Sequence, residues 1–174
     1  MLENIMEEIR KTNYSDDALE LMTLLYKHQV EYLIVGGQAV IYYGHVRLTG
    51  DIDLFYNQTE MNVEKLYNSL LEFWNNDIPG IQNKQDLMEK NVIIQFGVIP
   101  NRIDLISKIE AVNFTEAWQK RETVKINTER GVIVVYFIDI EHLIINKEAL
   151  NREKDKEDIK FLKRKEPSPP SALH

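Results

Sequence analysis

Val35 to Tyr56 reads VGGQAVIYYGHVRLTGDIDLFY, and this stretch decides the fold. It opens at the end of Tyr32 to Val35, a short apolar run with β character that stops at Gly36 and Gly37; Gln38 to Tyr43 can then start a helix. Two glycines after a strand let the backbone approach a phosphate, although a plain strand-to-helix turn is the commoner meaning of such a pair. After the connection Gly44 to Gly50, a second strand is predicted over Asp51 to Tyr56. Alternation along it sends Asp51 and Asp53 to one face, while Ile52 and Leu54 point to the core. The two carboxylates then stand roughly 6.6 Å apart along the backbone. Like charges held together cost energy unless a cation neutralises them, and hard oxygen ligands of this kind select Mg2+ or Mn2+. A bare D-x-D is weak by itself, because two solvated aspartates on a half-exposed strand give the same pattern. A glycosidase pair is set aside, since those carboxylates must flank a sugar from different sides.

Outward from this stretch, helical spacing is predicted over Glu3 to Arg10 and over Asp16 to His28, the second capped by Ser15 or Asp16. Glu60 to Trp74 restores the helical period through Val63, Leu66, Leu70, Leu71 and Phe73, and Asn75 to Lys90 is polar and turn-rich. Val92 to Ile99 and Arg102 to Ile106 flank Pro100-Asn101, a pair suited to the turn of an antiparallel hairpin. Thr123 to Ile126 and Val132 to Phe137 are two further β runs. Ile138 to Leu150 and Asp155 to Lys165 are two closing helices joined by the polar Asn151 to Lys154. The pattern predicts an α/β (α+β) architecture: a mixed, twisted sheet with helices packed on it early and hairpins late. One domain is expected over residues 1–166, with 167–174, PSPPSALH, a disordered tail.

Composition narrows the chemistry. Of 174 residues, 44% are hydrophobic and 28% charged, a balance expected of a soluble globular chain. The absence of cysteine removes disulfides, thiolate catalysis and cysteine-based zinc or iron-sulfur sites, and fits a cytoplasmic setting. MLENIMEEIR lacks the basic start and the unbroken apolar stretch of a secretory signal, and no apolar run is long enough to span a bilayer, so no membrane partner is expected. A net charge of -7 argues against broad, charge-driven coating of nucleic acid. His28, His45, His142 and His174 form no i, i+4 pair, which leaves zinc without a helical ligand set. Trp74 and Trp118 are expected to pack in the core.

The order glycine pair, short helix, aspartate pair on the next strand resembles the DNA polymerase β-like nucleotidyltransferases. The resemblance implies a nucleotidyltransferase fold and a third carboxylate on a later strand; Asp104, between Ile103 and Leu105, matches it. It further implies that Asp51, Asp53 and Asp104 bind Mg2+ or Mn2+ and catalyse two-metal transfer of an NMP from an NTP, ATP among them, to an acceptor hydroxyl. Within the superfamily, GHVRLTGDIDL is similar to the bacterial abortive-infection and toxin-like group, the AbiEii-like proteins, in which Arg and Thr precede the aspartates, as Arg47 and Thr49 do here. Ile138 to Ile159 is also similar to that group, with Lys147 matching its functional Lys and Arg152, Asp155 and Asp158 following. By this resemblance Gly36, Gly37, Arg47, Thr49 and Arg152 bind nucleotide, and Lys147 joins the aspartates in catalysis. As a point charge Lys147 suits a triphosphate, and Arg152 suits phosphate oxygens in bidentate fashion.

Residue chemistry offers another reading for Asp155 and Asp158: three apart at a predicted helix start, they form an N-cap and an acid in its first turn, and this reading leads. Gln38 stands where many superfamily members have Ser, and Gly50 precedes Asp51 where a side chain is usual. The resemblance allows RNA ends such as those of transfer RNA, proteins and small molecules as acceptors. It also suggests the toxin of a toxin-antitoxin or abortive-infection system, with a cognate antitoxin as partner. The alternatives are a nucleotide-binding module without turnover and a protein-interaction partner of the same fold.

Overall fold

Ser15 caps the first helix described by the computed structural model, which covers residues 14–165. Its hydroxyl accepts the Ala18 N–H at 3.2 Å, satisfying one of the unpaired amides at the start of α1, Asp16–Lys27. There follow β1 (Tyr32–Val35), α2 (Gly36–Tyr42), β2 (Asp51–Tyr56), α3 (Glu60–Phe73) and a 3-10 helix at Lys84–Met88. Next come β3 (Ile93–Phe96), β4 (Arg102–Ile106), α4 (Phe114–Lys120), β5 (Glu122–Thr128), β6 (Gly131–Phe137), α5 (Ile140–Leu150) and α6 (Glu153–Lys165).

The strands form one mixed sheet in the order β3-β4-β2-β1-β6-β5. β2 lies between antiparallel β1 and parallel β4, so the D-x-D strand is interior, flanked on both sides. β1 also pairs in parallel with β6, and the outer strands β3 and β5 complete antiparallel hairpins. All four side chains of β1 are buried, as a central strand covered on both faces requires. Leu21, Met22 and Leu25 of α1 and Val63, Leu66 and Leu70 of α3 join that core, and α1 packs on α3. α6 lies against α5 and closes the core with Leu162. Among the described residues, no helix is long and apolar enough to cross a membrane.

Three elements differ from the sequence reading. The β run predicted to reach Ile99 ends at Phe96, because Gly97 adopts φ +75° and Val98 to Asn101 closes a turn through the Asn101 N–H on the Val98 carbonyl at 2.8 Å. α2 begins at Gly36, so the glycine pair lies inside its first turn and not before it. α4 has no bounds in the sequence reading: Asn113 caps it through the Glu116 N–H at 3.2 Å, and Phe114 stacks on Trp118 at 5.7 Å across one turn. The predicted helix Glu3 to Arg10 and the tail 167–174 lie outside the described residues. Because Leu162 is fully buried, Leu162→Ala should lower the unfolding free energy by about 2–5 kcal/mol in urea denaturation. Val132→Ala, at a position 54% exposed, should change it by no more than about 0.5 kcal/mol.

Candidate active site

Parallel pairing of β2 with β4 sets Asp53 beside Asp104 and Asp51 beside Arg102. Alternation then places Asp51, Asp53, Arg102 and Asp104 on one face, while Ile52, Leu54, Ile103 and Leu105 are buried. One carboxylate oxygen from each of the three aspartates lies within 4.8 Å of the others. Asp104 is the most enclosed, only 5% exposed. Oxygen donors in this number and spacing fit a hard divalent cation.

Arg102 brings positive charge directly onto this cluster. Its Nε donates to Asp104 Oδ1 at 2.8 Å, and its Nη2 donates to Asp51 Oδ2 at 2.6 Å and to Asp104 Oδ2 at 3.1 Å. Gln95, opposite Asp104 on β3, donates from Nε2 to Asp104 Oδ2 at 3.0 Å. One guanidinium faces three carboxylates, so Asp53 remains under strain: burial first, then Asp51 and Asp104, push its pKa up to about 7, against the opposing pull of Arg102 and Lys154.

The glycine pair has a steric explanation. A Cβ on Gly36 would lie 2.1 Å from Asp53 Oδ2, and Gly36 has φ +63°, a conformation that side chains resist. A Cβ on Gly37 would meet Thr49 Oγ1 at 2.8 Å. The glycines thus let the Asp53 carboxylate and the Thr49 hydroxyl press against the start of α2. Gly50 is accounted for in the same way, since a Cβ there would lie 2.5 Å from Ile99 Cγ2.

The segment His45 to Thr49 forms no strand, yet it alternates: His45, Arg47 and Thr49 turn inward, while Val46 and Leu48 are almost wholly exposed. Thr49 Oγ1 donates to Asp51 Oδ1 at 3.1 Å, bracing the first aspartate. Arg47 pairs with Asp158 of α6. His45 lies 3.7 Å from Asp158 and packs its ring on Phe161 at 4.6 Å. The segment is therefore a strap from α6 to the aspartate strand.

Behind the strap, Lys147 is 2% exposed and its Nζ donates to Asp155 Oδ1 at 3.1 Å and to Asp158 Oδ2 at 2.8 Å. The helix-start reading holds for Asp155, which lies in the first turn of α6 and accepts the Arg152 N–H at 3.2 Å, whereas Asp158, three residues on, is enclosed against Lys147. α6 begins at Glu153, and both acids are buried and face α5, because two carboxylates enclosed with an ammonium and two guanidinium groups are neutralised. Lys147 likewise lies in the interior, holding two protein carboxylates, where the sequence placed it on a triphosphate. Although burial opposes it, hydrogen bonds from Arg152 and Lys147 hold Asp155 down to about 2. Arg152 grips Asp155 from Nε at 2.7 Å and from Nη2 at 3.2 Å, with half of its side chain open to solvent.

Sequence reading missed Arg102 and Gln95. The signal for Arg102 was present, since R-I-D puts it two residues before Asp104 and on the same strand face. Gln95 depended on hairpin register, which a turn one residue longer would have reversed.

Two outcomes follow from this geometry. Gly36→Ala should destabilise the protein by at least roughly 1–2 kcal/mol from its backbone conformation alone, and by more than Gly37→Ala, as read by thermal unfolding. In the folded state Asp53 holds its proton more tightly than in the unfolded chain, so stability falls as pH rises from about 4 through about 7. In chelator-treated protein, the stability gained by Asp53→Asn should therefore grow between pH 5 and pH 7, by about 1–3 kcal/mol, and level off above pH 7.

Comparison with known proteins agrees with this geometry. No curated protein matches the chain. The family described as "Nucleotidyltransferase of unknown function (DUF6036)" matches residues 13–163, which take in every element from α1 to α5, both aspartate strands and nearly all of α6. With a mixed α/β sheet carrying a three-aspartate cluster on adjacent strands, the chain belongs to this nucleotidyltransferase family.

Proposed function

We propose that the protein transfers a nucleoside monophosphate from an NTP to an acceptor hydroxyl, with Asp51, Asp53 and Asp104 holding Mg2+ or Mn2+. The observation that carries this reading is the set of three carboxylate oxygens within 4.8 Å on paired strands, with Asp53 disfavoured as a bare anion by burial and then by Asp51 and Asp104. When bound, divalent ions stabilise the entering and leaving oxygens of an in-line displacement.

The chain's own residues divide the remaining work. Asp104, enclosed and held by Gln95, fixes the inner side of the site. Thr49 orients Asp51. Arg47 and Arg152 keep donors free after pairing with Asp158 and Asp155, and these donors can take the negative charge of a triphosphate. Lys147 acts from behind as a positioning residue, since it fixes the two carboxylates that aim those guanidinium groups.

Similarity to AbiEii-like proteins supports a toxin acting on RNA ends such as those of transfer RNA, or on a protein, restrained by a cognate antitoxin. A partner protein is favoured by Val46 and Leu48, 95% and 98% exposed on the strap, and by the exposed Val98 and Ile99, of which Ile99 packs on Gly50 at the strap's end. A module that binds nucleotide without turnover is the rival reading.

Offering the four NTPs, each labelled at the α-phosphate, to total RNA and to cell lysate tests the activity. Label is expected in one fraction with the natural protein and is expected to fall at least 100-fold with Asp53→Asn; no label in any fraction, together with normal metal binding, would leave the rival reading standing. Because Asp53 must shed a proton before it can bind a cation, Mn2+ affinity measured by calorimetry should rise up to about tenfold per pH unit below pH 7 and flatten above it.

A further inference from the structure

We infer that Arg102 is a built-in counter-ion which competes with the divalent cation for Asp51 and Asp104, so that metal enters only as the guanidinium swings out of the cluster. The inference rests on the metal-binding reading of the three aspartates, and it concerns how that site is regulated.

The fold gives Arg102 this position. It is two residues from Asp104 on the same strand and directly opposite Asp51 across the parallel pair, so its side chain lies between the two carboxylates by register. Its bonds engage both oxygens of Asp104 and one of Asp51, while Gln95 adds a second donor to Asp104 Oδ2. Asp53 is outside this grip. A hard cation takes carboxylate oxygens at about 2.0–2.1 Å, and a guanidinium on those same oxygens would then face a like charge at contact distance. Arginine cannot relieve that repulsion by losing a proton, because it stays charged throughout the accessible pH range. Rotation is the remaining way out.

The direction of that rotation is also set. The cavity beside the cluster, about 40 Å³ and lined by Gln38, Thr49, Asp51, Asn101 and Arg102 among others, is small. The Arg102 side chain is one quarter exposed already, so it leaves towards solvent. Metal alone must therefore break charge-assisted hydrogen bonds and binds weakly, while Arg102 offsets part of the cluster's negative charge. Once displaced, the guanidinium stands at the mouth of the site, where a triphosphate is the fitting counter-charge.

Mn2+ titration of chelator-treated protein, read by the paramagnetic resonance of the free ion, tests this without any turnover. Arg102→Met should bind Mn2+ at least tenfold more tightly than the natural protein, and Arg102→Lys, which keeps the charge, should stay within about threefold of it. Asp53→Asn added to Arg102→Met should abolish the tight binding, tying it to this cluster. Arg102→Gln serves in the same comparison if Arg102→Met does not fold. Equal or weaker binding by the neutral variants would overturn the counter-ion role while leaving the metal site intact. No Mn2+ bound by any form would overturn both.

Discussion

Like charge held in place by a buried strand pair is the constraint on which the rest of the structure depends. β2 and β4 run parallel with Asp53 beside Asp104, and the sheet face opposite is filled by Ile52, Leu54, Ile103 and Leu105. A shift of one residue in either strand would bury its carboxylates and expose its apolar side chains. The register is therefore fixed by the core, and the carboxylates have no means of separating while the sheet stands. Burial first, and their repulsion second, raise the pKa of Asp53 in the folded protein, which is how a stable scaffold keeps a cation site ready.

Positive charge is distributed around this cluster in two groups with different duties. Arg102 sits within it and touches the carboxylates directly. Lys147, Arg47 and Arg152 form a second group around Asp155 and Asp158, and the strap from His45 to Thr49 joins the two. Lys147 is the central cation of the second group: without it two carboxylates would be enclosed between helices with only their outer arginines, a costly arrangement. The inner ion pairs thus fix the carboxylates that hold the outer arginines.

Much of this was legible in the sequence, because alternation and helical period report burial directly. The strand Asp51 to Tyr56 and the hairpin partner Arg102 to Ile106 were placed at the bounds that the structure gives, and the order of helices and strands followed from the same periods. What was not legible depends on contacts between distant segments. Asp155 is a helix-start acid as its position suggests, but that it and Asp158 also hold Lys147 is seen only once α6 is laid on α5. The Gly36-Gly37 pair reads as a strand-to-helix turn, but that the Asp53 carboxylate presses on Gly36 is seen only once the strands are paired. Arg102 is the instructive middle case: its face could be read from alternation, but its partner Asp51 is 51 residues away and required the strand order.

Gly36 shows how the apolar and the charged halves of the molecule are coupled. Val35 is buried and pairs with Asp53 in the antiparallel β1-β2 ladder, so the residue after it must turn immediately beneath that carboxylate. Only a residue without a side chain can do so at φ +63° with an oxygen where a Cβ would be. The four apolar side chains on the far face each contribute about 1.5–3 kcal/mol through burial. Together they exceed the few kcal/mol implied by a carboxyl held near pH 7. Burial therefore wins, and the glycine turn keeps Asp53 in the cluster instead of letting the backbone relax away from it. The chemistry of the site thus follows from a packing decision made on the other side of the sheet.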